Sequence, residues 1–276
     1  MNVRLTLVSC MSFLLVACGT APATNAPTTV PVSAPTAAPF ATTTAAYPAP
    51  AAVPNPTTAA YPAPPQAVNT QCNHPFYPVS ATARWQYRST TTGLAPSTFT
   101  LSDTDITAKS FTEHRDFTTL QTDNGWSCAA DGSLASTQFG NLNTGSTQFQ
   151  LQTTKNTGVT IPAPKDWQVG TTWNNAYEVK GTMQLSGNTA NAQGSIEVTY
   201  KIVAQESVTV PAGTYNAFKV TSDTTMKLSV TSGAATVPFN ISTSATSWFA
   251  PNVGMVKSQT STQGIDTTLE LTAFTP

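Results

Sequence analysis

The chain has 276 residues, enough for one or two domains. Only 9% of them are charged, against roughly 25% in a typical soluble domain. The formal net charge is −1. The composition therefore argues against a nucleic-acid partner and against a polybasic membrane patch, because both need a cluster of basic residues. The charges are also unevenly spread, since Arg4 is the only charged side chain before Arg84.

The amino terminus has the features of an export signal. Arg4 precedes an apolar run over residues 5–17, which is too short to span a bilayer because about 20 residues are needed. The run ends in Leu-Val-Ala-Cys followed by Gly, which resembles the cleavage signal of bacterial lipoproteins. The resemblance implies that signal peptide 1–17 is removed and that Cys18 carries diacylglycerol. Together with further acyl chains such as palmitate, this lipid would anchor the protein at the extracytoplasmic face of the cell membrane.

The alternative is an ordinary signal peptide in which a cysteine stands at the cleavage point by chance. The composition behind Cys18 favours the lipoprotein, because a tether is expected there. Twelve of the chain's 21 prolines lie between residues 19 and 71, among Ala and Thr. Proline has no amide donor and fixes φ, and large apolar residues are scarce in this stretch. We therefore predict that residues 18–71 form the lipidated cysteine and a disordered Ala/Thr/Pro-rich linker.

From residue 72 onwards the sequence alternates between apolar and polar residues. Tyr177, Val179 and Met183 are separated by polar residues, and so are Ile196 and Val198 after the stretch GNTANAQG. This alternation with a Gly/Asn-rich interruption predicts a long antiparallel hairpin.

A second hairpin is predicted from the alternating runs 226–230 and 237–241 around the turn SGAAT, and the alternation recurs at 265–271. No window has helical periodicity with caps at both ends. We therefore predict a single all-β domain over residues 72–276, built as an antiparallel barrel, half-barrel or sandwich of long hairpins.

Three stretches of this domain resemble a known family. They are IPAPKDWQVGTTWNNAYEV (161–179), ESVTVPAGTYNAFKVTS (206–222) and TSWFAPNVGMVKSQ (246–259). Their order and motifs resemble the TapB-like exported β domains of bacteria, whose function is unknown. The stretch HPFYPVSATARWQYR (74–88) resembles the usual opening of that family but departs from it at 80–82. The resemblance implies a β fold in the cell envelope and supplies no catalytic residues.

Two cysteines remain in the mature domain. Cys10 lies in the signal and Cys18 is assigned to the lipid, which leaves Cys72 and Cys128 in a compartment where disulfides persist. We predict that they pair, with two free thiols as the alternative. No metal site and no cofactor are predicted, because no further cluster of ligands accompanies them.

The sequence indicates no reaction. It has two histidines, His74 and His114, and lacks the nucleophile and metalloprotease motifs GxSxG, SxxK and HExxH. Two acid pairs are conceivable, Glu113 with Asp116 and Asp166 with Glu178, but exposed loop carboxylates are the default expectation. The acidic stretches at 103–105 and 123–125 predict turns.

The leading hypothesis is a lipid-anchored cell-envelope protein with a non-catalytic β domain that serves as a binding or structural module. Its partner besides the membrane would be a glycan, an apolar molecule or an envelope protein. One alternative is an envelope hydrolase, which predicts carboxylates or a histidine converging in a cleft with shifted pKa values. A second alternative is an accessory subunit of an envelope complex, which predicts an exposed apolar patch.

Overall fold

The computed structural model describes residues 71–276 apart from 118–119, 140–141, 145–146 and 186–187. The predicted signal peptide, Cys18 and all of the predicted linker except its last residue lie outside the described residues. The strands are β1 (Arg84–Thr91), β2 (Ser97–Thr104), β3 (Ser110–Phe117), β4 (Gln121–Cys128), β5 (Leu134–Ser136), β6 (Leu142–Thr144), β7 (Thr147–Gly158), β8 (Thr172–Leu185), β9 (Asn188–Val210), β10 (Gly213–Ser232), β11 (Ala235–Ala250), β12 (Gly254–Thr262) and β13 (Ile265–Thr275). Within the described ranges one short 3-10 helix, Pro164–Asp166, is the only helical element.

The strands form one antiparallel sheet in the order β5-β4-β3-β2-β1-β13-β12-β11-β10-β9-β8-β7-β6. Most neighbours in the sheet are neighbours in the chain, so most connections are hairpins. The exception is β1, which pairs with β13 and joins the two ends of the domain. Leu134 of β5 makes an antiparallel bridge with Ile161, just after β7, so the two edges of the sheet meet there. The sheet is therefore a nearly closed barrel, and the predicted all-β antiparallel fold is confirmed.

The first predicted hairpin is present, but its turn is shorter than predicted. Leu185 of β8 pairs with Asn188 of β9, so most of the stretch GNTANAQG belongs to β9. The strand continues because the inward alternation continues: Ala192 is only 3% exposed and precedes the fully buried Ile196.

The second predicted hairpin has the expected register. Met226 pairs with Ile241 and Leu228 with Phe239. The turn lies between Ser232 and Ala235 and includes Gly233 with φ of 59°, a left-handed conformation that glycine adopts without steric cost.

The stretch before β1, residues 71–83, packs against the inner face of the sheet. Its Phe76 ring stacks on Trp167 with a centroid distance of 4.5 Å, and its Tyr77 ring lies 4.8 Å from that of Trp126 in β4. A disulfide joins Cys72 to Cys128 at the end of β4, with 5.0 Å between the Cα atoms. These contacts attach the start of the described domain to the sheet both covalently and by aromatic packing.

Candidate functional site

The inner face of β1–β4 borders a cavity of about 850 Å³, which is within the range of small-molecule sites. Residues 71–83, the connection between β11 and β12, residues 136–139 and 160–161, and Tyr177 of β8 form the rest of its wall. Its aromatic lining includes Tyr77, Trp85, Tyr87, Trp126, Tyr177 and Phe249. Aromatic rings therefore form one part of the wall, and polar or charged side chains, among them Asp103, Glu113, Arg115 and Asp123, form another.

Two of the aromatic side chains in the wall are held in place by hydrogen bonds to the backbone between β11 and β12 and at the start of β12. The indole Nε1 of Trp85 donates to the carbonyl of Val253 at 2.6 Å, and the hydroxyl of Tyr87 donates to the carbonyl of Met255 at 2.6 Å. Because both side chains are 3% exposed and hydrogen-bonded, their rings are fixed in the absence of a ligand.

Three charged side chains lie on the inner face of β2 and β3. Asp103 of β2 is directly opposite Glu113 of β3, and Leu101 is directly opposite Arg115. Because side chains alternate between the two faces of a strand, Asp103, Glu113 and Arg115 all point inward. Asp103 is 5% exposed and Glu113 is 1% exposed. The cavity therefore contains two buried carboxyl groups beside one guanidinium.

Both oxygens of Glu113 have partners. Arg115 donates from Nε to Oε1 at 2.8 Å, and its Nη2 lies 2.6 Å from the same oxygen in an ion pair. The hydroxyl of Tyr77 donates to Oε2. The carboxylate in turn raises the pKa of Arg115, whereas burial is the main cause of the raised pKa of Tyr77 and Glu113 adds to it. The Arg115 side chain is 44% exposed although protein surrounds it, as expected for a group in the wall of an open cavity.

Asp103 is less well compensated than Glu113. Its Oδ2 accepts a hydrogen bond from the backbone N–H of Ser80 at 3.0 Å. Burial raises its pKa from 3.8 to about 7, against the lowering effect of the Ser80 hydrogen bond and with a further increase from the charge of Glu113. Asp103 is thus a buried carboxyl group that changes its charge near neutral pH.

A second polar group lies at the Tyr177 end of the cavity. Asn175 donates from Nδ2 to the hydroxyl of Tyr177 at 2.7 Å and to Oγ1 of Thr160 at 2.8 Å. Thr160 also accepts the backbone N–H of Ser136 at 3.0 Å, which connects this group to β5. These bonds orient the Tyr177 hydroxyl and tie the two meeting edges of the sheet together.

The histidines considered in the sequence do not lie together. His74 is buried, with Nε2 donating to the carbonyl of Pro162 at 2.9 Å and Nδ1 accepting the N–H of Phe76 at 3.1 Å. This neutral tautomer is fully paired, and burial lowers the His74 pKa from 6.5 to about 4. His114 lies on the other face of β3, where its Nδ1 contacts Asp123 at 2.6 Å.

Neither of the two acid pairs considered as alternatives is formed. Glu113 points inward, whereas Asp116, three residues along the same strand, is exposed on the outer face. Glu178 pairs instead with Lys155 at 3.0 Å, and Asp166 lies in the 3-10 helix. The carboxylate opposite Glu113 is Asp103, for which the sequence predicts a turn.

The expectation that carboxylates lie in exposed loops is wrong for Asp103 and Glu113. The turn predicted at 123–125 is also wrong, because these residues are inside β4. Gly125 is required there by close packing: a Cβ at this position would lie 2.7 Å from Oγ1 of Thr137, whose N–H bonds to the Gly125 carbonyl. The missed signal was the inward alternation of Phe111, Glu113 and Arg115, in which charged residues occupy core positions.

In the described part of the chain, no group of three His, Cys, Asp or Glu residues is arranged to hold a metal ion. Over the same residues, no helix has the length and apolar character needed to cross a membrane. The cavity with its buried charged residues is therefore the candidate site that the geometry offers.

A curled antiparallel sheet around a side-chain-lined cavity defines the class of this protein. The model of the DUF3108-like family matches residues 101–264, and the chain belongs to that family. The matched range includes the charged residues of β2 and β3 and most of the long hairpins. Because one fold can serve many functions, the family defines the architecture, whereas the function depends on the chemistry of the site.

Three solved structures are similar in overall architecture. A predicted exported protein with a YmcC-like fold from Bacteroides fragilis is 13% identical, with 74% of this chain and 100% of that chain covered and a TM-score of 0.43. A predicted lipoprotein from Parabacteroides distasonis is 14% identical, with coverages of 72% and 98% and a TM-score of 0.44. The hypothetical lipoprotein YmcC of Escherichia coli is 8% identical, with coverages of 70% and 85% and a TM-score of 0.34. No curated protein matches the chain.

Proposed function

We propose that this protein is a lipid-anchored protein of the extracytoplasmic membrane face whose β domain binds a small, largely apolar molecule in this open cavity. The observation that carries the proposal is the cavity of about 850 Å³ with aromatic walls. A concave space of this volume, lined by aromatic rings with convergent polar groups, is the usual form of a small-molecule site. The finer assignment to TapB-like domains rests on the three motif stretches and stays a prediction.

Binding is better supported than hydrolysis. A hydrolase with two carboxyl groups needs one to act as acid and one as base or nucleophile, and both must reach the substrate. Arg115 and Tyr77 occupy both oxygens of Glu113, which leaves Asp103 as the only inward carboxyl group of this cluster with a free position. One available carboxyl group beside aromatic rings can bind a ligand, but it does not supply the acid and the base that hydrolysis needs.

The anchor is tested by the substitution Cys18→Ser. Without the thiol no diacylglycerol can be attached, so the protein should move from the membrane fraction to the soluble fraction. The matched control is Cys10→Ser, which makes the same change inside the predicted signal and should leave the protein in the membrane. Intact-mass measurement of the native protein checks the modification directly. An unmodified thiol at residue 18 with the leader still attached would contradict the proposal.

Filling the cavity tests the binding function. Leu101 lines the cavity from β2, so Leu101→Trp places an indole in the space that a ligand would use. We expect the affinity for the uncharged fluorescent dye N-phenyl-1-naphthylamine to fall by roughly tenfold or more, equivalent to about 1.4 kcal/mol. Fluorescence titration of the full mature chain carrying Cys18→Ser measures this without detergent.

The control for this experiment is Ser102→Trp, which adds the same indole to the neighbouring residue on the other face of β2. It should leave dye binding unchanged. Absence of saturable binding by the parent chain, or equal binding by the parent and Leu101→Trp, would refute the proposed function.

A further inference from the structure

We propose that the cavity selects cationic amphiphiles, that is, molecules with an apolar body and a protonated amine that pairs with Asp103. This inference rests on the proposed function and specifies the chemical class of its ligand. It depends on three observations: the partners of the inward charges, the chemistry of the wall and the burial of Asp103.

The charges inside the cavity favour a cation. Glu113 and Arg115 form an ion pair and cancel each other, with Oε1 of Glu113 shared by two guanidinium nitrogens. Asp103 uses Oδ2 for the Ser80 N–H, and its Oδ1 has no hydrogen bond to any residue within the described ranges. When Asp103 is ionised, the three groups together carry one uncompensated negative charge. A ligand cation would supply the missing partner for that charge, whereas an anion would meet two carboxylates.

The wall favours a cation as well. The faces of tyrosine and tryptophan rings carry negative partial charge and attract ammonium groups within about 6 Å of the ring centre. Tyr77, Trp85 and Tyr87 line the same cavity as Asp103. Among the lining residues Arg115 is the only basic one, and Glu113 already neutralises it. Within the described residues, the wall of this cavity therefore offers no unpaired positive charge to an anionic head group.

The burial of Asp103 makes its charge depend on a ligand. Because burial disfavours the ionised form, an ammonium group in contact with Asp103 stabilises the carboxylate and lowers its pKa again. The titratable and charged groups that act on Asp103 or share its cluster are Glu113 and Arg115 of β3, Arg84 and Tyr87 of β1, and Tyr77 of the preceding segment. Arg84 is exposed and donates to backbone carbonyls of residues 81 and 83, so it does not pair with Asp103.

The test compares three ligands that share one alkyl chain and differ in the charge of the head: decylamine, 1-decanol and decanoate. Binding to the full mature chain carrying Cys18→Ser is measured by displacement of N-phenyl-1-naphthylamine. We expect decylamine to bind most tightly at pH 8. Its affinity should fall roughly tenfold between pH 8 and pH 6, because Asp103 must lose its proton before it can pair with the amine. The affinity of 1-decanol should not change with pH.

The variant Asp103→Asn should reduce decylamine binding to the level of 1-decanol and abolish its pH dependence, while 1-decanol binding persists. The matched control is Asp116→Asn, the same change at an exposed residue outside this cavity, which should have no effect. Decanoate or 1-decanol binding as tightly as decylamine at pH 8 would overturn the inference even if Asp103→Asn failed to fold. Failure of all three ligands and the dye to bind would instead overturn the proposed function itself.

Discussion

Replacing Asp103 by asparagine is expected to raise the free energy of unfolding at pH 8 by up to about 4 kcal/mol. The pKa of Asp103 is raised from 3.8 to about 7 in the folded protein. Between pH 3.8 and pH 7 the folded state holds a proton on Asp103 that the unfolded state has lost. The stability contributed by the protonated form is therefore present at low pH and lost as the pH rises towards 7. Asparagine stays neutral and can still accept the Ser80 hydrogen bond, so the variant avoids this loss.

His74 has the opposite effect on the pH dependence of the unfolding free energy. Its pKa is lowered from 6.5 to about 4 in the folded protein. Between pH 4 and pH 6.5 the unfolded state therefore binds a proton that the folded state does not bind. Stability from the neutral imidazole is present above pH 6.5 and is lost as the pH falls towards 4, by up to about 3 kcal/mol. Between pH 4 and 6.5 the contributions of Asp103 and His74 to the unfolding free energy change with pH in opposite directions, so they cancel. The parent chain should therefore show a nearly flat stability profile in this window.

Denaturant unfolding from pH 4 to pH 8 distinguishes the two groups. The Asp103→Asn variant should lose stability on acidification below pH 6.5, because only the His74 effect remains. The variant His74→Gln should show the reverse slope and lose stability as the pH rises from 4 to 7. A profile of Asp103→Asn that runs parallel to that of the parent chain at all pH values would contradict the assignment.

Removing the disulfide is also expected to have a large effect on the free energy of unfolding. The double variant Cys72→Ala/Cys128→Ala is expected to lose about 4 kcal/mol of unfolding free energy, because the bond joins residues 56 positions apart and restricts the unfolded chain. Both cysteines are buried, at 0% and 6% exposure, so the packing of their sulfur atoms contributes to the loss. Denaturant unfolding without reductant measures the difference.

A reductant provides the control. Dithiothreitol should lower the unfolding midpoint of the parent chain towards that of the double variant and leave the double variant unchanged. A parent chain with the same midpoint with and without reductant, although its thiols are shown to be free, would contradict the predicted contribution.

The long hairpins could be predicted from the sequence because alternation is a local property. Residues such as Met226, Leu228 and Ile241 show by spacing alone which face of the strand is buried, and the turn at Gly233 lies between them. Turn length was harder to predict. Gly and Asn at 187–194 favour a loop, but the inward side chain of Ala192 extends β9 through most of that stretch.

The site could not be predicted in the same way. The position of Asp103 opposite Glu113 depends on the register between β2 and β3. The hydrogen bond of Tyr77 to Glu113 depends on how residues 71–83 fold back onto the sheet. Neither is encoded in local spacing. Gly125 shows the same limitation, because its role is to allow the close approach of Thr137, which follows the neighbouring strand β5.

The position of the disulfide has a mechanical consequence. If the chain is pulled from its amino-terminal side, the tension reaches Cys72 and passes through the sulfur atoms to Cys128 at the end of β4. Strands β1, β2 and β3 lie inside the covalently closed loop, so a pull from that direction cannot peel them off one after another while the bond is intact. A domain held by one end in a moving fluid would keep the cavity wall in shape under drag.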